Sequence, residues 1–273
     1  MEKWQCGRFE LDFKTPKIMG IVNLTPDSFS GENIFHNPTN ALQYAEQQVR
    51  DGADLLDIGA ESSRPYSEPV LPDEEWQRLY PVLKEVIHWN VPISVDTYHF
   101  ETMQKVLDLG VDFINDITGL QNQSVRKVLA QSTCAICLMH MQNNPKTMQN
   151  APTYTNVVQN IFDFFKQQAA LCQQDGIDLK RIIFDPGFCF GKNLEQNLAL
   201  VHAIPQFKKE FLLLVGFSRK SMLGQITGND VHNRVIESVT AALKSVELGA
   251  NIVRVHDVKA TKDAFLIHQA FSI

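Results

Sequence analysis

The residues best suited to chemistry in this chain stand where short apolar runs stop. Residues 181–192 read Arg-Ile-Ile-Phe-Asp-Pro-Gly-Phe-Cys-Phe-Gly-Lys. Ile182, Ile183 and Phe184 are enough for a buried strand, and Asp185 followed by Pro186 and Gly187 ends it. A carboxylate at the mouth of a buried strand is costly to desolvate unless a partner meets it. Phe188 and Phe190 follow on a loop where Gly187 and Gly191 permit unusual backbone angles. An acid beside aromatic rings suits a flat, polar heterocycle, although a capped turn carrying core phenylalanines would have the same sequence.

Seven other apolar runs end the same way. Their polar ends begin at Asn23, Gly59, Asp96, Asn115, His140, Gly216 and Arg254. Two chemistries separate among these residues. Asp96, Asn115, Asp185 and Lys220 supply acceptors, an amide that both donates and accepts, and one cationic donor, a set able to read a fused ring with amino and oxo edges. Arg64, Arg254 and His256, with Asn23 and the helix start after Ser218, supply cations and donors suited to a phosphate or pyrophosphate. The plainer alternatives are a salt bridge from Arg254 to Asp257 or a neighbour, and a solvated helix start at Lys220.

The runs themselves alternate with helical patterns. Strands are predicted at 18–22, 54–58, 92–95, 111–114, 135–139, 182–184, 211–215 and 252–255. Helices are predicted at 41–50, 73–89, 100–109, 124–130, 156–174, 194–202, 231–248 and 260–271. In the second helix the apolar positions 76, 79, 82, 83, 86 and 87 keep close to helical period. Residues 1–17 read as a short hairpin or arm. Alternating βα units imply a parallel sheet, and eight of them in 273 residues imply a closed (β/α)8 TIM barrel, one domain spanning 1–273. An open doubly wound sheet would want Gly-x-Gly-x-x-Gly after an early strand, and the chain has none. In such barrels the reacting groups sit at the ends of the strands, where all the polar runs above fall.

Composition narrows the partners. A formal charge of −6 argues against general nucleic-acid binding. No apolar run approaches ~18 residues, so no membrane span is expected. The first residues lack the apolar core of a signal peptide, and five scattered cysteines suit reduced thiols, so a cytoplasmic location is expected. Cys134 and Cys137 have redox-motif spacing but fall on opposite faces of a predicted strand. The eight histidines show no zinc-ligand spacing.

Taken together the motifs resemble the dihydropteroate synthase family over roughly residues 10–270. They are Gly20-Ile-Val-Asn-Leu-Thr-Pro-Asp-Ser-Phe-Ser30, Gly52-Ala-Asp-Leu-Leu-Asp-Ile-Gly59, Glu61-Ser-Ser-Arg-Pro65, Ser94-Val-Asp-Thr97, Ile114-Asn-Asp-Ile117, Leu138-Met-His-Met-Gln142, the Asp185 stretch, Gly216-Phe-Ser-Arg-Lys-Ser221 and Arg254-Val-His-Asp257. The resemblance implies condensation of a hydroxymethyl-dihydropterin pyrophosphate with 4-aminobenzoate, by SN1-like chemistry, on the way to folate. It implies a catalytic set of Asp96, Asp185, Lys220 and Arg64. Asp96, Asn115, Asp185, Lys220 and Met139 would hold the pterin; Asn23, Arg64, Arg254 and His256 would hold pyrophosphate, with Asn23 on Mg2+. Ser63, Arg64, Phe188, Lys220 and Ser221 would line the aminobenzoate pocket, Asp27 would lie in a closing first loop, and the chain would pair as a homodimer through late helices. Three positions depart from the family pattern: Tyr66 and Asn143 stand where glycine is usual, and the first loop reads Ser30-Gly-Glu-Asn33. A pterin-dependent methyltransferase domain would not need the second-loop or Ser-Arg-Lys-Ser segments; a catalytically silent pterin-binding paralogue is the other rival. A metal-dependent amidohydrolase would want His-x-His after the first strand, which is missing.

Overall fold

The computed structural model describes residues 3–25, 37–63 and 67–271. An antiparallel hairpin, β1 (Lys3–Cys6) and β2 (Phe9–Asp12), precedes eight parallel strands. These are β3 (Lys17–Asn23), β4 (Leu55–Gly59), β5 (Ile93–Asp96), β6 (Phe113–Asp116), β7 (Ala135–Met139), β8 (Ile182–Asp185), β9 (Leu214–Val215) and β10 (Ile252–Val255). They pair in the order β8-β7-β6-β5-β4-β3-β10-β9, and a parallel bridge from Phe184 to Leu213 closes the ring. The helices are α1 (Pro38–Arg50), α2 (Pro72–Val86), α3 (Phe100–Leu109), α4 (Gln123–Ala130), α5 (Val157–Gln174), α6 (Leu194–Phe207), α7 (Ser221–Thr227), α8 (Val235–Leu248) and α9 (Val258–Phe271). The fold is an α/β TIM barrel, as the alternation of elements requires.

Side-chain parity sorts the strands into two walls. Leu56 and Ile58 face the helices with Ile18, Val22, Ile136 and Val253, in one apolar shell. Met19, Leu55, Phe113, Ala135, Cys137, Ile183, Leu214 and Ile252 face the barrel interior and fill it. Moving two residues on from Leu55, Phe113, Ile183 and Ile252 keeps the inward face and reaches Asp57, Asn115, Asp185 and Arg254. The barrel is therefore apolar below and polar above, and the register aligns Asn23, Gly59, Asp96 and Asn115 in one row across four strands. Cys134 and Cys137 do fall in different walls, and all five cysteines are buried and unpaired.

The hairpin closes the lower end. Trp4 meets Phe113 edge-on at 5.5 Å and Phe13 at 5.8 Å. Arg8 clasps the buried Asp112 with Nε and Nη2, both at 3.0 Å. At Gly7, with φ of 56°, a Cβ would lie 2.5 Å from the Asp112 Cα, so only glycine allows this approach.

Several elements differ from the sequence reading: α1 starts three residues earlier than expected, α2 ends three earlier, and β9 shortens to Leu214–Val215. Helix α6 continues to Phe207 through Pro205, because Ala203, Ile204 and Phe207 bury its last turn against the shell. Helix α7 is an additional turn before α8, which starts at Val235 rather than Val231. Trp4→Ala should destabilise the chain by about 3–5 kcal/mol, the usual loss for a large buried aromatic. Urea unfolding would show it, and a change under about 1 kcal/mol would mean the hairpin does not plug the barrel.

Candidate active site

At the upper end of the barrel the strand tips enclose a cavity of about 430 Å³. Asn23, Ser63, Asp96, Asn115, Met139, Asp185, Lys220, Ser221, Arg254 and His256 all line it. The sequence separates these residues by more than two hundred positions, and the barrel register brings them to one cup. Arg64, Tyr66, Asp27 and the 30–33 segment lie outside the described residues.

A residue the sequence reading passed over sits at the base of the cup. Asp57 is fully buried and accepts from Ser94 Oγ at 2.5 Å, Asn115 Nδ2 at 3.1 Å and Arg254 Nε at 2.5 Å. Its signal was visible as an acid on the inward face of an otherwise apolar strand. Arg254 reaches onward to Asp96 through Nη2 at 2.8 Å. The guanidinium thus answers the salt-bridge alternative with different partners, while Asp257 is taken by Arg219 at 2.7 Å. Burial works against the Arg254 charge, but Asp57 and Asp96 outweigh it and raise its pKa. Burial pushes Asp96 up to about 7, Arg254 pulls it down, and the Asp57 carboxylate adds to the rise.

Across the cavity, burial raises Asp185 and lowers Lys220, and each counters the other's shift. Gly187 N–H caps the Asp185 carboxylate at 2.7 Å. Lys220 donates to the Phe188 carbonyl at 2.8 Å and lies 4.8 Å from the centre of the Phe190 ring. Phe188 itself, expected at the aminobenzoate pocket, is fully buried and packs on Phe217 at 4.2 Å; Phe190 lines the cavity instead. The positive φ values at Gly187, Cys189 and Gly191, 69°, 67° and 65°, reverse the chain between the two rings. Asn143, where the family pattern has glycine, also has positive φ, 64°, a conformation asparagine tolerates.

On the anion side, Ser218 Oγ bonds His256 at Nδ1, 2.9 Å, and accepts from its backbone N–H at 3.1 Å, fixing the ring. Glu61, at the root of the second loop, accepts from Tyr98 at 2.6 Å and meets His99 Nε2 at 2.8 Å. Glu61, Glu75 and His99 place ligand atoms within 4.8 Å of one another, a grouping that linear spacing could not show.

An α/β barrel with carboxylates, an amide and a lysine at the floor of its mouth, and arginine and histidine at one side, is built for a polar heterocycle that carries an anion. The family model for pterin binding enzymes matches residues 19–256. The dihydropteroate synthase of Neisseria meningitidis serogroup C is 50% identical over 276 residues, covering 99% of this chain and 98% of that protein. A Burkholderia cenocepacia dihydropteroate synthase complexed with 7,8-dihydropteroate superposes with a TM-score of 0.89 at 42% identity, covering 98% of this chain and 95% of that one. The Xanthomonas albilineans enzyme with 4-aminobenzoic acid gives 0.91 at 36%, with 98% and 97% covered. The chain belongs to the pterin-binding enzymes and, within them, to the dihydropteroate synthases.

Protonation of Asp96 couples stability to pH. Its proton-linked stability is complete below the unfolded value of 3.8 and is lost as pH rises to about 7. Asp96→Asn removes that loss, so its stability relative to the parent should rise by up to about 1.4 kcal/mol per pH unit between pH 5 and 7. Urea unfolding at several pH values would measure the difference; a pH-independent gap would contradict it.

Proposed function

We propose that this chain joins 6-hydroxymethyl-7,8-dihydropterin pyrophosphate to 4-aminobenzoate, yielding 7,8-dihydropteroate and pyrophosphate for folate synthesis. The observation that carries the reading is the single cavity shared by Asp96, Asn115, Asp185 and Lys220 with Arg254 and His256. Asp96, Asp185 and Asn115 match the amino and ring N–H edges of a pterin, Lys220 its oxo edge, and Met139 supplies an apolar flank. Arg254, His256 and Asn23 form the pyrophosphate side, joined by Arg64 in the family pattern. Ser63, Ser221, Lys220 and Phe190, in place of Phe188, form the aminobenzoate side.

Mg2+ fits the pyrophosphate edge. Asn23 offers a hard oxygen, and Gly59, next to it in the register row, leaves space that a Cβ would occupy 3.8 Å from Asn23 Oδ1 and 3.3 Å from Asp96 Cβ. Bound there, the ion supplies charge to the leaving oxygens. The residues carry the remaining chemistry. The exocyclic C–O bond breaks and its electron pair leaves with pyrophosphate, received by Arg254, His256 and Arg64. Asp96 and Asp185 favour the electron-poor ring that remains. The arylamine nitrogen then forms the C–N bond and sheds its extra proton to water. No enzyme nucleophile is required.

The same reading takes 1–273 as one pterin-binding domain in the cytoplasm, consistent with five unpaired cysteines. Among the described residues no helix is long and apolar enough to cross a membrane. Ile236 on α8 and Leu266, Ile267 and Phe271 on α9 are 79, 53, 57 and 80% exposed, an apolar outer face on the late helices that favours a second copy.

Purified protein with pterin pyrophosphate and Mg2+ should release pyrophosphate in stoichiometric coupling to aminobenzoate consumption. Positional isotope exchange without the amine should detect reversible C–O cleavage; its absence would argue for direct displacement. Asp185→Asn should weaken pterin binding by about 10- to 100-fold, the loss of a hydrogen bond to a charged group, in a variant that keeps the far-UV circular dichroism of the folded chain. An unaltered pterin Kd would remove Asp185 from this role. Light scattering after gel filtration should give twice the chain mass of 30.9 kDa.

A further inference from the structure

Lys192 is a buried titratable side chain that the reaction leaves unexplained. It is 3% exposed, and lysine is seldom buried without a partner. Its ammonium donates to the carbonyls of Gly187 at 2.8 Å, Phe190 at 2.9 Å and His140 at 3.2 Å, and contacts His140 Nδ1 at 3.1 Å. Burial and the Lys192 charge lower the His140 pKa, so the imidazole is neutral and Nδ1 can accept. Burial lowers the Lys192 pKa to about 7, with Asp185 opposing it, and in the protonated form four acceptors surround three N–H donors, a cage without a carboxylate in hydrogen-bond contact.

The cage belongs to the turn after β8. Its three left-handed residues, at 187, 189 and 191, direct successive carbonyls to different sides. Lys220 takes the carbonyl of Phe188 from the cavity side, and Lys192 takes those of Gly187 and Phe190 from behind. The approach to β7 is equally tight: a Cβ at Gly187 would sit 1.9 Å from the His140 oxygen. Asn197 Oδ1 accepts the Cys189 N–H at 2.8 Å, and Gln149 Nε2 donates to the Cys189 carbonyl. Phe190 therefore has its carbonyl held by one lysine and its ring beneath the other.

We propose that Lys192 is a positioning residue for the arylamine half of the site: by holding the Gly187, Phe190 and His140 carbonyls it sets where the Phe190 ring meets aminobenzoate. This rests on the condensation reading above. The pterin half stands on Asp96, Asn115 and Asp185 at the ends of β5, β6 and β8, whose places are set by the barrel register rather than by this lysine cage.

The test is Lys192→Met, which keeps the aliphatic length and removes the donors. We expect the aminobenzoate KM to rise at least about tenfold, the scale of one or two lost buried hydrogen bonds. The Kd of a pterin measured by calorimetry should stay within about threefold. A generally damaged fold would weaken both; that result, or an unchanged aminobenzoate KM, overturns the proposal. Should the variant not fold, Gln149→Ala loosens the same turn from outside. Its aminobenzoate KM should rise about threefold at constant pterin Kd, and no change there overturns the proposal equally. If the unaltered protein itself shows no turnover, the condensation reading fails rather than the role of Lys192.

Discussion

Arg254 holds Asp57 and Asp96 at once, and the upper half of the barrel is arranged around that shared cation. Two carboxyl groups face one guanidinium in a place poorly reached by water, so as Asp96 ionises, above a pH of about 7, the group carries a surplus negative charge. Removing one member of such a network leaves an uncompensated charge and commonly costs about 3–5 kcal/mol. The excess charge favours a substrate that becomes cationic as its bond breaks. Arg254 also ties the heterocycle side to the anion side, so the two chemistries distinguished in the sequence are joined by one side chain.

Barrel geometry makes the arrangement possible. Each inward strand position either fills the lower interior or presents a group to the mouth, two residues apart. A one-residue slip in β4 would turn Asp57 into the helix shell and Leu56 into the cup. The apolar lower layer thus specifies the polar upper one: the contacts that fix Leu55, Phe113, Ile183 and Ile252 also fix the acids, amide and arginine above them.

Much of this was legible along the chain because strand ends carry unmistakable polar residues after apolar runs. Phe100–Leu109, Ala135–Met139 and Ile252–Val255 have the boundaries the periodicity suggests. The turn after β8 was less legible. Phe188 and Phe190 are alike in type, and only the left-handed backbone at Cys189 decides that the first enters the core and the second faces the cavity. Asp57 was visible as an acid within a hydrophobic strand, but its role was not, since its partner Arg254 is far away in sequence. The helix expected to end at 202 runs on through Pro205 to Phe207, held by tertiary packing. Lys192 resembled an ordinary surface lysine beside a glycine, because the carbonyls that cage it converge only after folding.

The hairpin beneath the barrel has a consequence for biogenesis. Trp4 leaves the ribosome before any barrel strand has been made, yet the apolar cluster it joins also takes in Ile252, some two hundred and fifty residues on. Of its two ring partners only Phe13 is made early; Phe113 comes about a hundred residues later and Ile252 later still. Completion of this lower layer is then a late event, so a chain interrupted before β10 would present an open base to chaperones and proteases.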